Sequence, residues 1–193
     1  IPSNGFRHVH FHFAGTIFTA AGMNDHGLAI AMTGIPGPRL EKDGMPDMFA
    51  LWTILPRCAE VSDAIRHIEA MEINHCGFSL QIADAQGNLA LVEKTGACMK
   101  VFPEQNGAPL LHTNHILDPD IAGKNPQQIE PVLTNGRRRY DTAMACLKNL
   151  PHSEQCLISF LKDRSPTGPI CQQGEDGLNT DFAVLLSPAQ KQL

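Results

Sequence analysis

Two short turn sequences, Gly22-Met23-Asn24-Asp25-His26-Gly27 and Asp84-Ala85-Gln86-Gly87-Asn88, each lie between apolar runs, and they constrain the fold more than any other feature of the chain. Gly, Asn and Asp relieve the steric cost of reversing a backbone within a few residues, so each turn predicts a pair of neighbouring antiparallel strands. Before the first turn, Phe6 to Phe13 alternates, with Arg7, Val9, Phe11 and Phe13 on one face and Phe6, His8, His10 and His12 on the other. That is the period of a strand. Thr16–Ala21 continues it and Leu28–Met32 follows the turn, while Phe78–Ala83 and Leu89–Glu93 flank the second turn and Met99–Phe102 adds a further strand.

Helical spacing appears elsewhere. Phe49–Ala59 is apolar in blocks and must kink or end at Pro56, which cannot continue a helix. Ser62 is placed to cap a helix with Ala64, Ile65, Ile68 and Met71 on one stripe. Tyr140, Ala143, Met144, Leu147 and Leu150 form a later stripe, and Ser153 precedes another through Leu157, Phe160 and Leu161. The stretch from Gly34-Ile35-Pro36-Gly37-Pro38 to Pro46 and the one from His115 to Pro131 read as loops. Leu110–His115 and Phe182–Leu186 read as strands. Strands, helices, strands, helices and a final strand without regular βαβ alternation predict an α+β fold.

The 193 residues suit one soluble domain, 1–193, and no apolar run approaches the roughly 20 residues that span a bilayer as a helix. Fifteen Lys and Arg stand against 20 Asp and Glu, a net charge of −5, and the only basic cluster is Arg137-Arg138-Arg139. Nucleic acid does not fit such a chain as a partner, because phosphate binding needs many Lys and Arg gathered on one face. The six cysteines, Cys58, Cys76, Cys98, Cys146, Cys156 and Cys171, are dispersed without a C-x-x-C pair and are read as reduced thiols in apolar surroundings. The first residues, Ile1-Pro2-Ser3-Asn4-Gly5, contain neither an initiator Met nor the pattern of a signal peptide, so the compartment stays open.

Gly22-Met23-Asn24-Asp25-His26-Gly27-Leu28 and His112-Thr113-Asn114-His115 resemble two motifs of the N-terminal-nucleophile amidohydrolases. The branch is that of acyl-coenzyme A:6-aminopenicillanic acid acyltransferase, choloylglycine hydrolase and penicillin V acylase. Ala14-Gly15-Thr16, the Asp84–Glu93 hairpin, the Arg137-Arg138-Arg139 helix and the end strand follow in that family's order. The resemblance implies a four-layer αββα sandwich, and linear-amide C–N hydrolysis or acyl transfer on small N-acyl compounds. It implies a cysteine nucleophile whose own α-amine, titrating near ~8, takes the thiol proton. No Cys stands before Cys58, so the expectation is a domain truncated at its N-terminal strands, and at its C-terminal end, with the nucleophile outside these residues.

Carried onto this sequence, the resemblance gives Asn24, Asn114 and Arg138 catalytic roles and assigns His112, His115 and Arg139 to substrate binding. Asparagine amides suit an oxyanion because they donate hydrogen bonds without adding charge. The expected partner is a small amide or acyl-thioester. No cofactor and no metal is expected, no membrane partner either, and homo-oligomerisation stays open. Plainer readings stand beside these. Asn24 is also an ordinary turn residue. His8, His10 and His12 share a strand face like a zinc comb but lack a carboxylate companion, and so read as a row facing solvent or an interface. The rival function is a non-catalytic αββα domain that binds a small ligand or a partner subunit.

Overall fold

A computed structural model describes residues 4–35, 43–74, 77–96, 98–125, 130–148, 153–174 and 177–191. Cys76, Leu150 and Pro36-Gly37-Pro38, read above as a thiol, a helical position and a loop, lie outside them. Six strands, β1 (His8–His12), β2 (Thr19–Asn24), β3 (Ala29–Gly34), β4 (Gly77–Ala83), β5 (Leu89–Thr95) and β6 (Met99–Pro103), form one sheet in chain order, every pair antiparallel. The helices are α1 (Ala50–Ile54), entered through a 3-10 turn at Asp47–Phe49, then α2 (Val61–Glu69), α3 (Pro119–Lys124), α4 (Glu130–Leu147) and α5 (Glu154–Leu161). The fold is α+β, and the described residues supply one six-stranded sheet to it.

Strand periodicity sorts the sheet into two unlike faces. Ile30, Met32, Phe78, Leu80, Ile82, Ala90 and Val92 bury together with Leu51, Ile54 and Leu55 of the α1 segment and with Val61, Ala64 and Ile68 of α2. A fully buried side chain of this size stabilises the fold by about 1.5–3 kcal/mol, so this cluster is what holds α1 and α2 against the sheet. The alternate residues face the other way. There, Thr33 pairs with Ser79 and Ser79 with Glu93, which sets a polar row across three adjacent strands.

The turn between β2 and β3 is tighter than the sequence suggests, because β2 runs on to Asn24. Gly27 closes it with φ 88°, and a Cβ there would meet Ala85 Cβ and the Pro188 carbonyl at 2.8 Å. Both the conformation and the space require glycine.

Ser62 does not cap α2. The helix begins two residues earlier than a Ser62 cap would set it, with Glu60 at the cap position, and the Val61 N–H donates instead to Asp84 Oδ2 at 3.0 Å. Asp84 also accepts from the Gln86 and Asn88 N–H groups at 3.0 Å, so one buried carboxylate closes the β4–β5 turn and caps a helix remote in sequence. Burial opposes its ionisation, but the N–H donors from Val61, Asn88 and Gln86 outweigh it and lower the Asp84 pKa. The unfolded carboxyl titrates near ~3.9, so the stability that Asp84 contributes is complete above that pH and lost as pH falls through its lower folded value. Asp84→Ala is expected to cost about 2–3 kcal/mol at neutral pH, as buried N–H donors lose their acceptor, and to flatten the acid limb of stability against pH. Urea melts of both proteins at pH 3 to 7 check this.

Three other expectations are corrected. Leu110–His115 carries no strand, because its backbone pairs with no neighbour among the described residues and the segment is fastened through side chains. The supposed loop after His115 contains α3, whose N-terminus Asp118 caps by accepting from Asp120 and Ile121 N–H at 3.0 Å, with Pro119 in the first turn. Phe182–Leu186 runs unpaired among the described residues, its Phe182 ring packed on Phe13 with centroids 5.3 Å apart. By contrast, Ser153 does cap α5, accepting from Cys156 N–H, and α1 stops before Pro56.

Candidate active site

The polar row on the second sheet face anchors the segment that carries Asn114. Glu93, fully buried on β5, accepts at Oε1 from the Leu117 N–H at 2.6 Å and at Oε2 from the Asp118 N–H at 3.1 Å. His112 Nε2 reaches the same Oε1 at 3.0 Å, and its Nδ1 lies 2.7 Å from the Thr33 hydroxyl, so the imidazole bridges β3 and β5 above Ser79. Its side chain is 0% exposed. His112 thus presents no exposed side-chain atom in this structure, and its ring is engaged by Thr33 and Glu93.

His115 is buried beside it, the two rings near-parallel with centroids 6.3 Å apart, and packs edge-on against Tyr140 of α4. The Thr113 hydroxyl donates its one hydrogen to the Gly136 carbonyl at 2.9 Å, so it accepts from His115 Nδ1 at 3.0 Å. Burial, then the His112 and Arg137 charges, hold the His115 pKa below the ordinary histidine value.

Asn114 stands between β3 and α4. Its Nδ2 donates to the Gly34 carbonyl at 2.9 Å, and its Oδ1 accepts from Arg139 Nη2 at 2.7 Å. Arg139 Nε donates in turn to Asn135 Oδ1 at 2.7 Å, one helical turn back along α4. Thus Arg139, not Arg138, meets Asn114, because 3.6-residue periodicity turns at most one of three adjacent arginines inward. Arg137 and Arg138 lie on the exposed side. Among the described residues no carboxylate lies within ion-pair distance of Arg139, and burial lowers its pKa from the ordinary guanidinium value.

Asn24 sits elsewhere and is fully engaged. Its two amide hydrogens go to the carbonyls of Leu55 and Cys58, each at 2.8 Å, and its oxygen accepts from His26 N–H at 3.1 Å and Leu28 N–H at 3.0 Å. Those carbonyls belong to the end of α1 and the turn after it, where backbone acceptors lack helical partners. Asn114, in contrast, has a second N–H with no partner among the described residues. Neither Asn24 nor the His8, His10 and His12 row is hydrogen-bonded to the Asn114 group. His10 stacks on Trp52 with centroids 4.2 Å apart, beside a separate cavity of about 730 Å³. Burial, then the charges of His8 and His12, push its pKa down to about 4. Among the described residues no three His, Cys, Asp or Glu side chains converge as ligands of one metal would.

The model of the family described as acyl-coenzyme A:6-aminopenicillanic acid acyl-transferase matches residues 2–190. The chain belongs to this family. It is also similar to the structure of a conjugated bile acid hydrolase variant from Clostridium perfringens, at 20% identity over 52% of this chain and 37% of that one, with a TM-score of 0.39. A penicillin V acylase from Agrobacterium tumefaciens is similar at 20% identity over 73% and 50% of the two chains, TM-score 0.49. For an N-acylethanolamine-hydrolysing acid amidase orthologue from Caenorhabditis elegans the values are 12%, 84%, 74% and 0.44. The chain thus spans half or less of the length of the first two of these structures. No curated protein sequence matches it.

In this acyl-transferase-family chain, the sequence alone did not single out Thr33, Glu93, Asn135 or Gln172 as parts of the site. Glu93 had a usable signal, as the one charge ending the apolar run Leu89-Ala90-Leu91-Val92. A lone carboxylate in a buried strand must be paired or hydrogen-bonded. Gln172 had none, since its contact with Asn135 is set by chain packing over 37 residues.

Proposed function

We propose that this chain supplies the oxyanion-binding part of a site for amide C–N hydrolysis or acyl transfer on small N-acyl compounds. The cysteine nucleophile comes from sequence outside these residues. The observation that carries this reading is the Asn114–Arg139 pair. Among the described residues a neutral amide keeps one N–H to donate, and a half-buried guanidinium without a carboxylate counter-charge there backs it. A carbonyl oxygen gains negative charge when a thiolate adds to its carbon, and preorganised donors hold that charge at no cost of reorganisation.

In the reaction, the sulfur–carbon bond forms as the carbonyl π pair moves to oxygen. Collapse of the tetrahedral adduct breaks the C–N bond, and the amine leaves with the proton given up by the thiol. Water or a second amine then adds to the thioester carbonyl carbon, the carbon–sulfur bond breaks, and the proton given up by the attacking group returns to sulfur to restore the thiol. Asn114 touches the oxyanion and is the catalytic residue of this chain, and Arg139 orients it and adds positive potential. Asn24 acts at a distance, by tying the β2–β3 turn to the end of α1. Cys58 is unsuited to be the nucleophile, because burial and then Asp63 push its thiol up to about 11.

The test is incubation of the purified full-length protein with penicillin V and with N-acyl amino acid amides. Free amine and the acyl adduct are followed by mass spectrometry. Amine release with a transient acyl-cysteine, both abolished by iodoacetamide, is the expected result. Saturable binding of these amides without amine release would overturn the enzyme reading in favour of the ligand-binding one.

A further inference from the structure

We propose that Gln172 is a positioning residue for the Asn114–Arg139 pair and acts through Asn135. Gln172 is itself held from both sides, its N–H donating to Thr180 Oγ1 at 3.0 Å and its carbonyl accepting from Thr180 N–H at 2.9 Å. Its side-chain oxygen accepts from Asn135 Nδ2 at 2.8 Å. An amide carries its nitrogen and oxygen in one plane, on opposite sides of the bond that leads to it, so this bond turns Asn135 Oδ1 toward Arg139 Nε, 2.7 Å away. Arginine only donates, so Arg139 Nη2 in turn selects the oxygen of Asn114, at 2.7 Å. The Asn114 amide nitrogen is thereby left facing the Gly34 carbonyl, with its other N–H to spare among the described residues.

Each link has one allowed polarity, and a reversal at any of them sets donor against donor. Water does not readily substitute at the start of the chain, because Asn135 is 2% and Gln172 9% exposed. Both are buried polar groups whose loss of a partner is costly. The relay joins four separate parts of the sequence, at β3, the 112–118 segment, α4 and the segment after α5. Its effect on rate rests on the proposed oxyanion role of Asn114, whereas its effect on Arg139 does not.

The experiment measures the reactivity of Arg139 toward phenylglyoxal by peptide mass mapping of the folded full-length protein, with exposed Arg137 as the internal reference. Gln172→Met keeps the length and apolar body of the side chain and removes the acceptor. It is expected to raise the modification rate of Arg139 relative to Arg137 by about tenfold, the factor that corresponds to one lost buried hydrogen bond. Gln172→Glu keeps an acceptor oxygen at the same reach and is expected to retain the protection. Unchanged protection of Arg139 in folded Gln172→Met overturns the proposal. The unsubstituted protein gives an independent measurement by NMR. Arg139 Nε–H is expected to exchange with solvent more slowly than that of Arg137, and equal exchange overturns the proposal even if the variant does not fold. In an amide-cleavage assay, Gln172→Met should lower kcat with little change in KM, and Gln172→Glu should restore it. Deprotection of Arg139 without any loss of kcat would uphold the relay and count against the oxyanion role of Asn114.

Discussion

Glu93→Leu is expected to destabilise the protein by about 3–5 kcal/mol, the cost of removing one partner from a buried, hydrogen-bonded polar cluster. The carboxylate receives His112 Nε2, Leu117 N–H and Asp118 N–H, and leucine receives none of them. Glu93 and the His112 side chain are both 0% exposed, so water cannot take the place of the lost acceptor. Each buried donor then keeps its desolvation cost unrepaid. For a chain of this length the loss corresponds to a fall in Tm of roughly 10 °C. Glu93→Gln should cost less, because one oxygen remains for the His112 and Leu117 donors while Asp118 N–H meets an NH2 group. Denaturant titration of the three proteins checks this, read as a shift in midpoint at constant slope. A cost for Glu93→Leu under 1 kcal/mol would show that the 112–118 segment is held to the sheet by something other than this carboxylate.

Asn114→Ala is expected to lower kcat of the full-length protein by ~10²-fold or more and to leave KM nearly unchanged, the signature of losing one oxyanion donor. The amide binds the oxygen more strongly as charge develops on it, so its removal raises the barrier rather than weakening substrate binding. The substitution also leaves Arg139 without the oxygen that fixes Nη2, and Asn114→Asp separates the two effects. Aspartate keeps an acceptor for Arg139 but places negative charge where the oxyanion forms, so its kcat should be as low as that of the alanine variant.

Asn24→Ala should behave in the opposite way. It removes four hydrogen bonds, two that tie the β2–β3 turn to the end of α1 and two that close the turn itself. Tm should therefore fall by several degrees, with kcat of the folded fraction unchanged. A wild-type kcat for Asn114→Ala would remove that residue from the reaction.

The pattern of apolar residues and turn chemistry determined the antiparallel sheet. Alternation in His8–His12 and the two Asn- and Gly-bearing turns are local signals, readable within about ten residues, and the strands lie where those signals put them, shifted at most by a few residues. The stripes of α2 and α4 and the Ser153 cap were legible for the same reason. The family motifs likewise brought Asn114 and the arginine run to notice. What the residues could not disclose is how those motifs are connected. Asn24 and Asn114 look equivalent as asparagines next to strand ends, yet one spends both amide hydrogens on the end of α1 and the turn after it, and the other keeps one among the described residues. Arg138 and Arg139 are adjacent identical side chains, and only the azimuth of α4 against the 112–118 segment decides which reaches Asn114. Val61 finds its cap in Asp84, 23 residues away, rather than in neighbouring Ser62. In each of these cases a buried polar group takes whichever partner the packed chain brings within hydrogen-bond reach, and long-range packing, not sequence spacing, sets that distance.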